Sequence, residues 1–335
     1  MTPPRSKTIF VFAAGWLVLL AATYAFSWHI LANRWRSGID AWVKAQADAG
    51  WTITTGTVAV SGFPGAIRFA LPEPSARNAA GDSWQGPPLT LRLAPWNPLR
   101  PAFEDPGTHR ITLAGQPAIE VSAGQLSGTV RVDKGKPVAL DLAAQSVAGL
   151  GLTAAGLTGE VSRPQGETDA PVPTLLAAVI GIDRLTLPEG LRQPLDRTIA
   201  GAHLALRLRG PWPRGPHAAA LAAWRDGGGT IELDSFDIDW PPLAVAGQAT
   251  VALDAALQPE LAGTVTVRGA GAAIDQAAKV GMMDKGGARV AKLALKLASK
   301  PSDDGTEAAE FAVGVQNRVL SVGPVPLLQV PEVSW

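Results

Sequence analysis

The chain has 335 residues, 47% of them hydrophobic and 17% charged, so it is long enough for one large or two ordinary domains and too apolar for a disordered chain. Its 29 basic and 29 acidic residues balance, without the basic excess of a general nucleic-acid binder. There is no cysteine, which excludes disulfides, thiolate metal sites and cysteine nucleophiles, and the 36 glycines and 28 prolines predict many turns.

Residues 9–30 carry no charge. As a helix this run is about 33 Å long, enough for a hydrocarbon core of about 30 Å. Phe10, Phe12, Trp16, Leu17, Leu19 and Leu20 form the body of the expected anchor, with Tyr24 and Trp28 near its far end, where aromatic rings favour the interface. A cleaved signal peptide is the rival reading. Its apolar region normally spans only about 7–15 residues, so a retained membrane anchor over 1–30 is preferred. Arg5 and Lys7 on one side and Arg34 and Arg36 on the other leave the charge bias nearly tied. Residues 31–50 read as an amphipathic juxtamembrane helix. Trp35, Ile39, Trp42 and Val43 recur at helical spacing, and Gly50 closes it.

From Trp51 the period changes from 3.6 to 2. Ile67, Phe69 and Leu71 alternate with small or polar residues after the turn signal Gly62-Phe63-Pro64-Gly65. Leu89, Leu91 and Leu93 follow the same rule, then Val138, Leu140 and Leu142, then Leu204, Leu206 and Leu208. Later come Val251 and Leu253, Val265 and Val267, and Phe311, Val313 and Val315. Each stretch has one apolar and one polar or small face, as half-buried antiparallel strands do. Links as short as residues 133–136 imply hairpins and meanders. The expected fold is therefore mainly β, an elongated antiparallel curled sheet or sandwich with a few short helices. A first β half is expected over 51–163, a proline-rich loop over 164–174 and a second β half over 175–335.

Short helices are expected at 217–225 and 274–280. Between them, Ile231 and Leu233 are apolar at odd positions, whereas Phe236, Ile238 and Trp240 are apolar at even ones. One regular strand cannot put both sets on one face, so a bulge is expected at Asp234-Ser235.

The sequence gives little chemistry. Gly269-Ala270-Gly271 lacks the third glycine and the βα setting of a dinucleotide loop and reads as a turn. In the acidic cluster of Asp234, Asp237 and Asp239, apolar residues fill the positions where a calcium loop needs ligands. Asp237 and Asp239 are expected to face water. His29, His109, His203 and His217 are scattered. No catalytic residue, cofactor or metal is expected, and the protein is read as a non-enzyme.

Amphipathic sheets must cover their apolar face, and a second sheet, a helix or a bound acyl chain can do so. Each buried methylene contributes about 0.8 kcal/mol, so an acyl chain binds without polar machinery. Here a family resemblance adds to the reading. The tryptophan-bearing helix after the anchor is followed by Gly62-Phe63-Pro64 and Ile67-Arg68-Phe69. Further on come Gly229-Thr230-Ile231-Glu232-Leu233, Pro242-Leu243-Ala244-Val245-Ala246-Gly247 and Leu261-Ala262-Gly263-Thr264-Val265-Thr266-Val267. With the ending Asn317-Arg318-Val319-Leu320-Ser321-Val322-Gly323-Pro324-Val325-Pro326-Leu327, this resembles the proteobacterial domain-of-unknown-function family 2125, placed with the AsmA-like envelope proteins. The resemblance implies a single-pass protein of the bacterial inner membrane, the bulk of the chain in the periplasm, with a β-groove involved in phospholipid movement. The chain is short beside the largest AsmA-like proteins, which fits a lipid-handling module better than a bridge.

Lipid binding or transfer in envelope maintenance is thus the first expectation. A non-catalytic scaffold pairing with another envelope protein through a sheet edge is the second, and an envelope hydrolase the third. The candidate lipid-groove residues are Leu204, Leu206, Leu208, Phe236, Ile238, Trp240, Val251 and Leu253. The expected partners are the membrane, phospholipid acyl chains and an envelope protein.

Overall fold

The computed structural model describes residues 5–164, 172–190, 195–211, 217–301, 307–323 and 325–335. It is mainly β, with one long apolar N-terminal helix and a large antiparallel sheet that does not close. The chain forms two compact units, one reaching to Glu120 with Thr129–Arg131 added, the other Val121–Gly128 and Val132–Trp335.

The first unit begins with α1 (Arg5–Asp48), a single helix through both predicted N-terminal segments. Gly50 then takes a left-handed φ of 86°, which a glycine adopts without strain, and the chain turns into strands. These are β1 (Trp51–Thr54), β2 (Ala59–Ser61), β3 (Ile67–Leu71), β4 (Ser75–Asn78) and β5 (Ser83–Gln85). After them come β6 (Leu89–Ala94), β7 (Asn97–Glu104), β8 (Gly107–Thr112) and β9 (Ile119–Asp133), the last contributing residues to both units. β3 lies between β2 and β6, with Phe69 opposite Val60 on one side and Leu91 on the other. Its alternation is strict: Ile67, Phe69 and Leu71 are buried, while Arg68 and Ala70 are exposed.

What buries them is α1. Trp28 and Ala32 join Ile67, Phe69, Leu71 and Leu93 in one core, with Leu31, Trp35 and Ile39 packed around it. The Trp28 indole N–H donates to Gly65 O at 2.8 Å, and its ring meets Phe63 edge-on at 5.5 Å. Tyr24 donates its hydroxyl hydrogen to Pro64 O. The predicted turn at residues 62–65 is thus the seat of the helix.

The second unit is a meander of long strands: β10 (Lys136–Gly149), β11 (Leu152–Ser162), β12 (Thr174–Thr186) and β13 (Thr198–Arg209). Then come α2 (His217–Asp226), β14 (Thr230–Trp240), β15 (Leu243–Leu253) and β16 (Pro259–Arg268). Two helices follow, α3 (Ala270–Lys279) and α4 (Lys285–Ala298), and the chain ends in β17 (Ser299–Pro301), β18 (Glu307–Gln316), β19 (Val319–Val322) and β20 (Val325–Gln329). From β10 to β16 each strand pairs antiparallel with the next in the chain, and β18 adds beyond β16. The expected bulge lies between Leu233 and Phe236. The expected helix at 217–225 falls within α2, and the one at 274–280 overlaps α3 up to Lys279, with Val280 as its C-cap. Of the predicted loop at 164–174, residues 165–171 lie outside the described residues, and the chain re-enters the sheet at Thr174.

The sequence reading did not anticipate β11, β12 or α4. Gly156 and Gly159 interrupt the alternation of β11, and residues 175–180 of β12 are apolar without a break. Gly286-Gly287 hides the start of α4, which Asp284 supports by accepting from the Gly287 N–H.

Phe69 is 1% exposed, so Phe69→Ala is expected to cost about 3–5 kcal/mol of stability, read by urea unfolding of the full chain. A second prediction concerns Asp105, 4% exposed, whose Oδ2 sits 3.9 Å from His109 Nε2. Burial pushes the Asp105 carboxyl above its ordinary value, and His109 offsets part of this. A carboxyl that holds its proton more tightly when folded contributes most below its unfolded pKa of about 4, and that contribution falls as pH rises through the folded value. Asp105→Asn is expected to flatten this slope and raise the melting temperature at neutral pH, measured by thermal melts between about pH 4 and 8.

Candidate functional site

The eight candidate groove residues share one face of the second unit's sheet. Leu204 stands opposite Phe236, Leu206 opposite Leu233, and Leu208 opposite Ile231, which in turn faces Val251. The bulge makes this possible, because it brings Ile231 and Leu233 onto the side that Phe236, Ile238 and Trp240 already occupy. Ile238 lies between Ala202 and Val245, Trp240 opposite Leu243, and Leu253 opposite Pro259. Trp240 also fixes its indole by donating to Asp196 O at 2.7 Å.

The face is much wider than those eight positions. One row runs from Leu142 through Gly159, Ile180, Leu204, Phe236, Gly247 and Val265 to Phe311. A neighbouring row joins Leu176, Leu208, Ile231, Val251, Leu261 and Val315. The glycines in these rows matter sterically. A Cβ on Gly247 would stand 2.9 Å from the Phe236 ring, so the ring leans over bare backbone. Sequence reading missed Leu157, Ile180 and Ile182, because they lie on the two strands whose alternation is broken.

Burial separates this face from the core of the first unit. Among the described residues the largest fully buried side chains are Phe69, Ile67 and Leu93, all in the first unit. In the second unit the residues buried on the sheet include Ala144, Ala249, Ala309 and Val315 at the end of the second row, while most of the large ones, such as Leu142, Ile180, Leu204, Phe236, Ile238 and Val265, are only half-buried. They sit in register across neighbouring strands and keep part of their surface exposed.

Outside β12, whose Val179 is exposed there, the opposite face is polar or small. Arg207 donates to both carboxylate oxygens of Asp234, the closest contact 2.6 Å, and Arg209 donates to Glu232 at 2.8 Å. Asp237 and Asp239 are exposed, as expected. They border a depression of about 470 Å³ over Gly156, Gly181 and Gly201, with His203 and Asp183 on its rim. Among the described residues no group of three or more His, Asp or Glu side chains could hold a metal ion. His29 stacks on Phe63, and Gly269, at a left-handed φ of 72°, forms the expected turn between β16 and α3.

In α1, Phe12, Trp16, Leu17, Leu19 and Leu20 are 57–69% exposed. The side chain of Phe10 lies outside the described residues. Trp28, grouped from the sequence with the anchor, is instead 4% exposed inside the β core, because its N–H and ring are both engaged by the turn at 62–65. Trp35 packs there too, while Trp42 is 51% exposed.

The fold therefore defines a mainly-β protein with, among the described residues, a single helix long and apolar enough to cross a membrane. Residues 28–331 match the family model described as an uncharacterized protein conserved in bacteria, DUF2125, and the chain belongs to that family. No curated protein and no solved structure matches it.

Half-buried positions lose little on truncation. Leu204→Ala and Phe236→Ala are each expected to cost about 1 kcal/mol, several-fold less than a fully buried aromatic, in the same urea assay. A loss above about 3 kcal/mol at either position would mean a closed core there.

Proposed function

We propose that this is an AsmA-like, membrane-anchored periplasmic protein of the bacterial inner membrane that binds or transfers lipid in envelope maintenance, and that it is not an enzyme. The observation that carries the reading is the apolar face from Leu142 across to Phe311, whose large side chains are only half-buried on a sheet that does not close. A soluble domain that keeps so wide an apolar surface partly wet gains by covering it. Acyl chains fit a surface without converging polar groups, since their binding rests on area alone. Each methylene moved from water contributes about 0.8 kcal/mol. The apolar stretch of α1 supports anchoring. Its Tyr24 and Trp28 contacts hold the turn at 62–65 of the first unit at the end of that stretch.

The scaffold reading has one supporting observation. Strand β20 is the last in its ladder, and its Val325 and Leu328 are each 54% exposed, a surface on which a partner strand would pack.

The test compares lipid extracted from the purified full chain with that from a Leu206→Asp/Phe236→Asp variant, by mass spectrometry. Lipid around α1 is common to both and cancels. The lipid reading predicts excess phospholipid of about one or more per chain in the parent, lost from a variant whose circular dichroism is unchanged. Equal lipid in the two would contradict it.

A further inference from the structure

Helix α4 has three distinct stripes. Ala288 is buried, and Leu295 is half-buried on the same side, where the helix packs on α3 and β18. Next to that side run Lys285, Arg289, Lys292 and Lys296, four cations at i, i+4, i+7 and i+11 with no acidic residue in the helix. Beyond them lies a second apolar stripe that faces away from the protein. Val290 is 68% exposed and Leu293 is 62% exposed. The loop before the helix extends it with Val280 at 50% and Met282 at 47%. An apolar stripe in water beside a basic stripe has no purpose in the fold itself, because α4 already packs through its other side. Lys292 is held by Asp275 of α3 at 2.6 Å, which fixes the basic stripe relative to the apolar one.

We propose that α4 and the loop before it form an interfacial docking element for a bilayer surface carrying anionic headgroups. Charge complementarity selects this occupant. The apolar stripe is narrow and bordered along its length by cations, the pattern of a helix that lies in the headgroup plane. A second copy of the chain fits poorly, since an antiparallel two-fold pairing of the apolar stripes would set the two rows of cations side by side. Its exposed stripe is made of residues other than those of the apolar sheet face, so it can succeed or fail independently of the lipid-binding reading.

The absence of native cysteine makes the test direct. Leu293→Cys is introduced in the full chain, labelled with an environment-sensitive dye and held in a non-ionic amphipol. Vesicles are then added, either pure phosphatidylcholine or phosphatidylcholine with phosphatidylglycerol, with and without lipids bearing a quencher just below the headgroup. The expected result is a blue shift and quenching with the anionic vesicles only. Reversing three charges, Lys285→Glu, Arg289→Glu and Lys296→Glu, is expected to weaken that response by about tenfold or more. A dye on Ser235→Cys, exposed on the polar face of β14, should report no change. A silent Leu293 dye with both vesicle types would overturn the proposal, as would a response equal for neutral and anionic vesicles or unaffected by the charge reversals. Retained circular dichroism in the charge-reversed chain separates lost docking from lost fold.

Discussion

The second unit is governed by a simple constraint: an antiparallel sheet with one apolar face has to do something with that face. The rows from Leu142 to Phe311 and from Leu176 to Val315 place large apolar side chains in register on one side. Removing such surface from water yields about 25 cal/mol per Å², so every half-buried leucine or phenylalanine retains stabilisation not yet realised. Lateral packing, such as the Phe236 ring over Gly247, recovers part of it. A flexible acyl chain conforms to such a surface and recovers more, which is why the binding reading follows from geometry rather than from any polar constellation.

The first unit shows the other solution. Its β3 alternates as strictly as any strand here, yet Ile67 and Phe69 are sealed at 0% and 1% exposure because α1 lies across them. The same helix leaves the domain as an exposed apolar rod from Tyr24 toward Phe12. Trp28 joins the two roles. Its indole N–H satisfies a carbonyl of the turn at 62–65, while its ring fills the core. A tryptophan at this position therefore couples the apolar segment to the folded domain, rather than marking the headgroup level.

Much of this was legible in the sequence. The period change at Trp51 and the alternations at Ile67, Leu89, Leu140 and Leu204 located strands, because half-buried strands impose period two. The parity conflict between Leu233 and Phe236 required the bulge, and the structure has it. What stayed hidden has physical causes. Alternation is silent where glycine leaves a gap, as in β11, or where both faces are apolar, as in β12. Trp28 could not be assigned because the turn that accepts its N–H lies 37 residues away. The exposed stripe of α4 was masked by Gly286-Gly287, and its unpartnered state is a property of packing that periodicity alone does not reveal. The buried contact of Asp105 with His109 likewise depends on the fold around both.

Lipid is predicted to reach the apolar face of the second unit's sheet and not the polar one. Photolysis of the full chain with a phospholipid carrying a diazirine in its acyl chain, followed by peptide mapping, tests this most directly. Label is predicted on Ile180, Leu204, Phe236 and Val265 in addition to the apolar stretch of α1, and not on the polar-face neighbours His203, Asp237 and Thr266. Label confined to α1, or spread equally over both faces of the sheet, would contradict it.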